Sequence, residues 1–350
     1  MLETPRRWAK NAWCWFQGAF MCFAKLSYLI PALLALCFGA QSFAQAQDAT
    51  NYPNRPIRII VPVAAGAGID TAARVTATAA EPHLGGKFVI ENKPGASQRL
   101  GSSMVAKSAP DGYTLLFTSP SPIVVGQFFP PPMDFDPEQE LRPLVIGMVQ
   151  PVLLIVRPNL GVKTVDEFVA LAKQNPGKLT FGVQGLFGEM RMTLEQFKKT
   201  AGMNVTHVPY NSGAQAIVDL LSDRLDAMFL VIPPIKQHVQ DGKLIALATL
   251  NATRVQAVPN IPTMAELGRP EMTSSIWFGY LAPAKTPDAI MNRLVQAFQA
   301  LKADQALKQR VVEMGAELAL TGPTEFGTLI DQDRSRYGRI VAEGNLATQN

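Results

Sequence analysis

Apolar positions along this chain fall in short β-branched runs. Each run is followed by a break of glycine, proline or small polar residues, and then by a stretch with apolar positions at helical spacing. The first such unit spans Ile57 to Glu81. Ile57-Arg58-Ile59-Ile60-Val61-Pro62-Val63 predicts a buried parallel strand. Ala64-Ala65-Gly66-Ala67-Gly68-Ile69 puts small residues where the backbone turns sharply or approaches a ligand closely. Asp70-Thr71-Ala72-Ala73-Arg74 then opens an alanine-rich helix, with Asp70 placed to cap it. The rhythm repeats. Phe88–Asn92 reads as a strand, Lys93-Pro94-Gly95-Ala96 as a turn, Leu100–Ser108 as a helix, and Tyr113–Thr118 as a third strand running into Ser119-Pro120-Ser121-Pro122. The proline-rich piece from Phe129 to Pro143 predicts a surface loop.

A second round starts at Val152–Val156. Thr164-Val165-Asp166-Glu167 forms a capping box ahead of a helix that Asn175-Pro176-Gly177 stops. Leu179–Val183 predicts a strand entering a second glycine loop, Gln184-Gly185-Leu186-Phe187-Gly188, and a helix with apolar Met192, Leu194 and Phe197 follows. Further strands are expected at Val205–Val208, Ala227–Val231 and Leu244–Leu250, with a helix at Gly213–Leu221; after Trp277-Phe278-Gly279-Tyr280-Leu281 the chain reads as mainly helical from Pro287. Alternation of this kind predicts α/β architecture, with parallel strands covered by helices and ligands at the carboxyl ends of the strands.

Two loops, 64–69 and 184–188, stand at matching places in successive units. Each feeds a helix N-terminus, where free N–H groups and about half a positive charge favour an anion. Facing one another across a cleft, they would hold the two ends of a small dianion. Two other readings of the first loop stay open. Gly66-Ala67-Gly68-Ile69-Asp70-Thr71 matches a dinucleotide fingerprint in part, with Thr71 where the third glycine belongs. A purely structural turn is the other.

The N-terminus changes the reading of composition. Lys25, the uncharged run Leu26–Phe38 and Ala44-Gln45-Ala46 supply the n-region, h-region and cleavage site of a secretory signal peptide. Met21 begins a signal of ordinary length and is the expected start. Removing residues 1–46 deletes Arg6, Arg7, Lys10 and Lys25 against Glu3, so the formal charge falls from +4 to +1. The basic excess belongs to export and points to no nucleic acid. Cys14, Cys22 and Cys37 leave with it, so the exported chain has no thiol nucleophile and no disulfide. The length that remains suits two domains.

Catalysis needs an activated nucleophile or a tuned acid–base pair. His83, His207 and His238 stand beside no G-x-S-x-G elbow, no H-E-x-x-H spacing suggests a metal, and no phosphate-binding lysine follows a glycine loop. The residues therefore favour binding over catalysis, with no cofactor and no metal expected. His207, inside a strand, reads as a core or edge histidine.

Tyr52-Pro53-Asn54-Arg55-Pro56-Ile57-Arg58-Ile59-Ile60-Val61-Pro62 resembles the opening of the Bug-type periplasmic solute-binding proteins, the receptors of tripartite tricarboxylate transporters. The resemblance continues through Glu91-Asn92-Lys93-Pro94-Gly95-Ala96, Ala109–Leu115 and Val208-Pro209-Tyr210, and on to Pro259–Thr263, Trp277-Phe278-Gly279 and Met314-Gly315-Ala316-Glu317. It implies a two-lobed Venus-flytrap periplasmic binding protein fold with a parallel-stranded sheet in each lobe. Residues 51–149 with 277–350 would form lobe 1 and 150–276 lobe 2, crossing near Gln150 and Ser275.

The resemblance also implies capture of a small carboxylate by lobe closure, in the periplasm, by a monomer serving membrane transporter subunits or, alternatively, a membrane sensor. An enzyme on the same fold is a more distant alternative. Carried over residue by residue, the first pincer is Val63, Ala64, Ala65, Gly66, Gly68 and Asp70, and the second Gln184, Gly185, Leu186, Phe187 and Gly188. Ser119 and Ser121, and Tyr210, Asn211 and Ser212, are expected donors at strand ends, each with a turn or cap as its alternative. The chain departs from the family pattern in its first loop, in Ser97-Gln98-Arg99, and in Leu186, Phe187 and Glu189. Leu186 and Phe187 either wall the site for an aromatic acid or pack against the lobe. Glu189 either complements a helix dipole or, facing the cleft, repels a dianion and favours an amine. Arg99 is a counter-charge or a surface residue.

Overall fold

The computed structural model describes residues 51–184, 188–210, 212–344 and 346. The expected export segment with Met21, Cys14, Cys22 and Cys37, and the site candidates Gly185, Leu186, Phe187 and Asn211, lie outside the described residues. Among the described residues the strands are β1 (Ile57–Val61), β2 (Phe88–Asn92), β3 (Thr114–Thr118), β4 (Leu141–Gln150), β5 (Val152–Val156), β6 (Thr180–Gln184), β7 (Thr206–Tyr210), β8 (Ala227–Val231), β9 (Ile245–Thr249), β10 (Ile276–Pro283) and β11 (Glu317–Thr321). The longer helices are α1 (Gly68–Leu84), α2 (Arg99–Ala106), α3 (Val165–Gln174), α4 (Glu189–Ala201), α5 (Gly213–Leu221), α6 (Asp288–Gln299), α7 (Gln305–Glu313) and α8 (Pro323–Gly344).

The strands make two sheets, ordered β11-β4-β10-β3-β1-β2 and β7-β6-β8-β5-β9. The parallel core expected in each lobe is present as β3-β1-β2 and β7-β6-β8. Antiparallel strands complete both: β10, β4 and β11 in the first sheet, β5 in the second. The fold is therefore two-lobed α/β with mixed sheets. The chain passes from one sheet to the other through Pro151 alone, between Gln150 and Val152, and returns before Ile276.

Each sheet buries both faces, which is why its central strands read as continuous apolar runs. Along β10 the side chains alternate: Phe278 and Tyr280 enter one core of the first lobe, with α1 and α6, while Trp277 and Leu281 enter the other, with α8. Tyr280 stacks 4.4 Å from the Phe117 ring and 4.2 Å from Phe298, and its hydroxyl shares a 2.7 Å hydrogen bond with Thr76. In the second lobe, α3 and α4 cover one face and α5 the other.

Three expectations change. Phe129–Pro143 is not a surface loop throughout: Phe129 and Phe135 are buried in the core beside α8, and its end enters β4. β4 itself gives no strand signal because Pro143 and Gly147 interrupt it. Gly147 lies where an added Cβ would sit a tight 3.1 Å from the Phe117 ring. β11 was expected to be helical; it is a short edge strand whose register breaks after Leu318, with Leu320 at φ 49. An edge strand of this kind is held by its neighbour rather than by its own propensity.

Gly279 faces Phe326 so closely that an added Cβ would lie 2.3 Å from the ring, and that ring is fully buried. Gly279→Ala is expected to cost about 1–3 kcal/mol through overpacking, read as a lower denaturant midpoint at unchanged m-value. A wild-type midpoint would show that the ring yields.

Candidate functional site

The strand directions bring the candidate residues to common edges. Pairing places the carboxyl ends of β1, β2 and β3 at the edge where β4 ends and β10 begins, since Gln150 is opposite Ile276 and Thr118 opposite Gly279. In the second sheet the carboxyl ends of β6, β7, β8 and β9 share the edge at which β5 starts. Both edges adjoin the passages between the sheets.

The first loop leaves β1 at Val61 and enters α1 at Gly68 through Ala67, which is extended and makes no side-chain cap. Ala64, Ala65, Gly66 and Gly68 are exposed and Val63 is half-buried. Gly66 has φ +84, the left-handed conformation that favours glycine. Asp70 was expected to cap the helix. The helix begins three residues earlier than that role needs, at Gly68 rather than Thr71, so Asp70 lies in its first turn and folds back into the loop. It accepts from the Gly66 amide at 2.9 Å, from Arg74 Nε at 3.0 Å and from Asn92 Nδ2 at 2.9 Å. Asn92 also donates to the Val63 carbonyl at 3.1 Å, so the end of β2 ties both sides of the loop. Burial pushes the Asp70 carboxyl up, but the bonds from Arg74, Gly66 and Asn92 outweigh it and hold its pKa below the usual range. Asp70 is thus the loop's anchor, and its carboxylate is already engaged.

At the end of β3, Ser119 is buried and Ser121 opens a π-helical turn, Ser121–Val125. Ser121 Oγ donates to Glu189 Oε2, a bond from the first lobe to the first residue of α4. A Cβ on Gly188 would lie 3.6 Å from the same Ser121 oxygen. The N-terminus of α4 therefore stands against the strand-end turn of the first lobe. Glu189 is buried, with no basic side chain paired to it among the described residues. Desolvation raises its pKa, only partly offset by the Ser121 bond and its own backbone amide, and the nearby Asp333 raises it further. The dipole-complement reading of Glu189 is too weak: the side chain links the lobes.

The other candidates are engaged within the second lobe. The Tyr210 hydroxyl donates to Asp219 at 2.8 Å, and burial with that bond pushes it up to about 12. Ser212 caps α5 by accepting from the Gln215 amide at 3.4 Å. Gln184 is exposed at the end of β6, with its Oε1 3.6 Å from where a Gly213 Cβ would be. Arg99 is tied to the scaffold: it donates to the carbonyls of Gly126, Phe129 and Pro131 at 2.5, 3.0 and 2.6 Å. His207 lies on the edge strand β7, its pKa lowered by burial and by Arg191.

The sequence reading missed several polar residues at these edges. Gln150 Nε2 lies 3.7 Å from where a Gly68 Cβ would be, at the start of α1. Thr118 Oγ1, Thr249 Oγ1, Asn251 Oδ1 and Ser274 Oγ are buried without a hydrogen-bond partner among the described residues. Thr118 and Thr249 end their strands, and no local motif marks them. A surface pocket of about 260 Å³ between Glu138, Leu281 and Arg334 lies on the first lobe alone and includes none of the candidates. Among the described residues no group of three or more His, Cys, Asp or Glu side chains is placed to hold a metal.

Comparison with known proteins places this architecture. Residues 72–346 match the family model described as tripartite tricarboxylate transporter family receptor. The chain is 32% identical over 313 residues to Protein BugT of Bordetella pertussis, covering 89% of this chain and 96% of that protein. A solved R. palustris protein with adipate superposes with a TM-score of 0.73 at 29% identity, covering 83% of this chain and 98% of that one. MatC from Rhodopseudomonas palustris, solved with bound malate, gives 0.70 at 26% identity, covering 83% and 100%. The periplasmic binding protein BugD gives 0.70 at 28% identity, covering 84% and 99%. With its family model matched over most of its length and its two-lobed α/β fold shared with these proteins, the chain belongs to the tripartite tricarboxylate transporter receptor family, the Bug-type solute-binding receptors.

Proposed function

We propose that this chain is exported by its N-terminal signal, captures a small carboxylate solute in the periplasm between its two lobes, and delivers it to a tripartite tricarboxylate-type membrane transporter. One observation carries the reading: Ser121 and Gly188–Glu189 bring the N-terminus of α4 against the strand-end turn of the other lobe. The first pincer is Val63–Gly68, held open by Asp70. The second is Gln184–Gly188, with Ser119, Ser121 and the strand-end residues Tyr210, Asn211 and Ser212 as further donors. The relatives solved with adipate and malate support a carboxylate as the solute class.

The nearby arginines are committed, Arg74 to Asp70 and Asn92, Arg99 to three carbonyls. A carboxylate would therefore rest on backbone amides at the starts of α1 and α4, each charge-assisted bond contributing about 1.5–3 kcal/mol. The buried, unpartnered oxygens of Thr118, Thr249, Asn251 and Ser274 supply further acceptors and donors for a bridging water or a solute hydroxyl. Because the solute touches both lobes, it favours the closed arrangement over the open one.

The direct test is a thermal-shift panel of mono-, di- and tricarboxylates, aromatic acids and amino acids on the exported protein, followed by calorimetry on the hits. A stabilising carboxylate is the expected result, and a panel in which no carboxylate shifts the midpoint would overturn the reading. Gly66→Val puts a β-branched residue at φ +84 with open space around it, so it should reshape the loop while sparing the core. We expect affinity to fall by about tenfold or more, the worth of one good contact, with a much smaller change in thermal midpoint; unchanged affinity would remove the first loop from the site. Asp70→Ala leaves the Gly66 amide and Asn92 without their acceptor and is expected to cost about 1–3 kcal/mol of stability, seen in denaturant titration, together with weaker solute binding.

A further inference from the structure

By chain order α4 belongs to the second lobe, since it follows β6 directly. Its Met190, Leu194, Phe197 and Ala201 enter the second-lobe core, as a one-faced helix should. Met192 does something else. It is fully buried in the first-lobe core with Ile60, Trp277, Phe326 and Tyr337. Lys199 pairs with Glu343 of α8 at 2.6 Å. One helix is therefore packed on both lobes, and its first residue is Glu189.

The Glu189 carboxyl is held by Ser121 of the first lobe, and among the described residues no cation pairs with it. The charged groups on the elements around it are each committed elsewhere. On α8, Asp333 accepts from Trp277 Nε1 at 2.9 Å and from Arg336 at 2.8 Å. Arg336 donates also to the Thr273 carbonyl at 3.0 Å and to the Tyr337 hydroxyl at 2.8 Å. On α4 itself, Arg191 pairs with Glu195 at 2.9 Å and Lys198 with Glu195 at 3.0 Å. On the first-lobe side, Thr118, Ser119 and Ser121 carry no charge, and Arg99 holds carbonyls. The Ser121 hydroxyl and the residue's own backbone amide do not replace the hydration of an ionised carboxylate, and Asp333 nearby adds repulsion. A neutral carboxylic acid, with its own O–H to place, fits this contact; an anion needs water there.

We propose that Glu189 is a proton-operated latch: as a neutral acid it bridges to Ser121 across the lobes, and loss of its proton opens that contact, so closure takes up a proton. This rests on the lobe-closure reading above. The sign follows from linkage. Burial holds the Glu189 pKa above the ordinary 4.5 in the closed form, whereas in an open, hydrated form it returns toward that value. The latch is complete below the ordinary value and is lost as pH rises through the raised one. Across that window the closing constant falls by at most about tenfold per pH unit, one proton per closure.

The test needs no solute, so its failure is distinct from failure of the carboxylate panel. Small-angle scattering and thermal unfolding are followed on the solute-free exported protein from about pH 5 to about pH 9, the range in which a raised carboxyl titrates. The wild type should be compact at the acidic end and expand with rising pH, with a parallel fall in thermal midpoint. Glu189→Gln, which keeps a neutral side chain of the same shape, should stay compact across the range. Ser121→Ala should be expanded even at the acidic end. A wild-type radius of gyration that ignores pH, or a Glu189→Gln curve that follows the wild type, would overturn the latch. If Glu189→Gln does not fold, wild type and Ser121→Ala decide it: coincident curves for those two would overturn it equally.

Discussion

The antiparallel pairing of β4 with β10 is the constraint on which the rest of the molecule depends. Its register sets Gln150 opposite Ile276, so the strand that leaves the first sheet and the strand that returns to it lie side by side. Both passages between the lobes are thereby confined to one place. β10 also pairs with β3, which aligns the carboxyl ends of the parallel strands with that same edge. The loops that follow those strands are consequently gathered around the passages, where a small rotation of one lobe changes the gap between them most directly.

Around that edge Arg74 and Arg99 are bonded to the protein's own carboxylate, amide and carbonyl oxygens. The first loop is shaped by an anion of the protein's own: Asp70, buried and tied to Gly66, Arg74 and Asn92, sets the backbone course while α1 leaves its first amides uncommitted to the helix. Arg74 and Arg99 act on the scaffold rather than on the site.

Glu189 is where the two lobes and the charge economy meet. Most buried carboxylates are paired with a cation. This one is paired with a serine of the other lobe, while Arg336 is taken by Asp333. The result joins α4 to both cores and puts an ionisable group inside the contact that must break for the lobes to part. The residue that departs from the family pattern thus becomes a means of coupling lobe position to proton concentration.

Much of this was legible in the sequence. The β-branched runs at Ile57, Val152 and Ala227, the capping box at Thr164 and the helix at Gly213–Leu221 are local signals, and they appear where local physics puts them: Thr164 Oγ1 accepts from the Glu167 amide at 3.1 Å. The turn at 64–69 is a local signal of the same kind, small residues between the strand β1 and the helix α1. Contacts between distant parts of the chain were not legible. β4, with Pro143 and Gly147, is a strand only because β10 and β11 flank it, and β11 exists only as the partner of β4. Asp70 looked like a cap until Asn92, on another strand, drew it inward. Ser212, equally ambiguous in sequence, proved to be the cap. Glu189 and Ser121 are far apart in the chain and carry no mutual motif, so their meeting is a fact of lobe packing alone. The sequence by itself determined the family and the elements that carry their own periodicity or turn chemistry, because those signals act over a few residues. Tertiary structure decided which carboxylate anchors a loop and which one bridges the lobes, because burial and partner geometry arise only once the sheets are assembled.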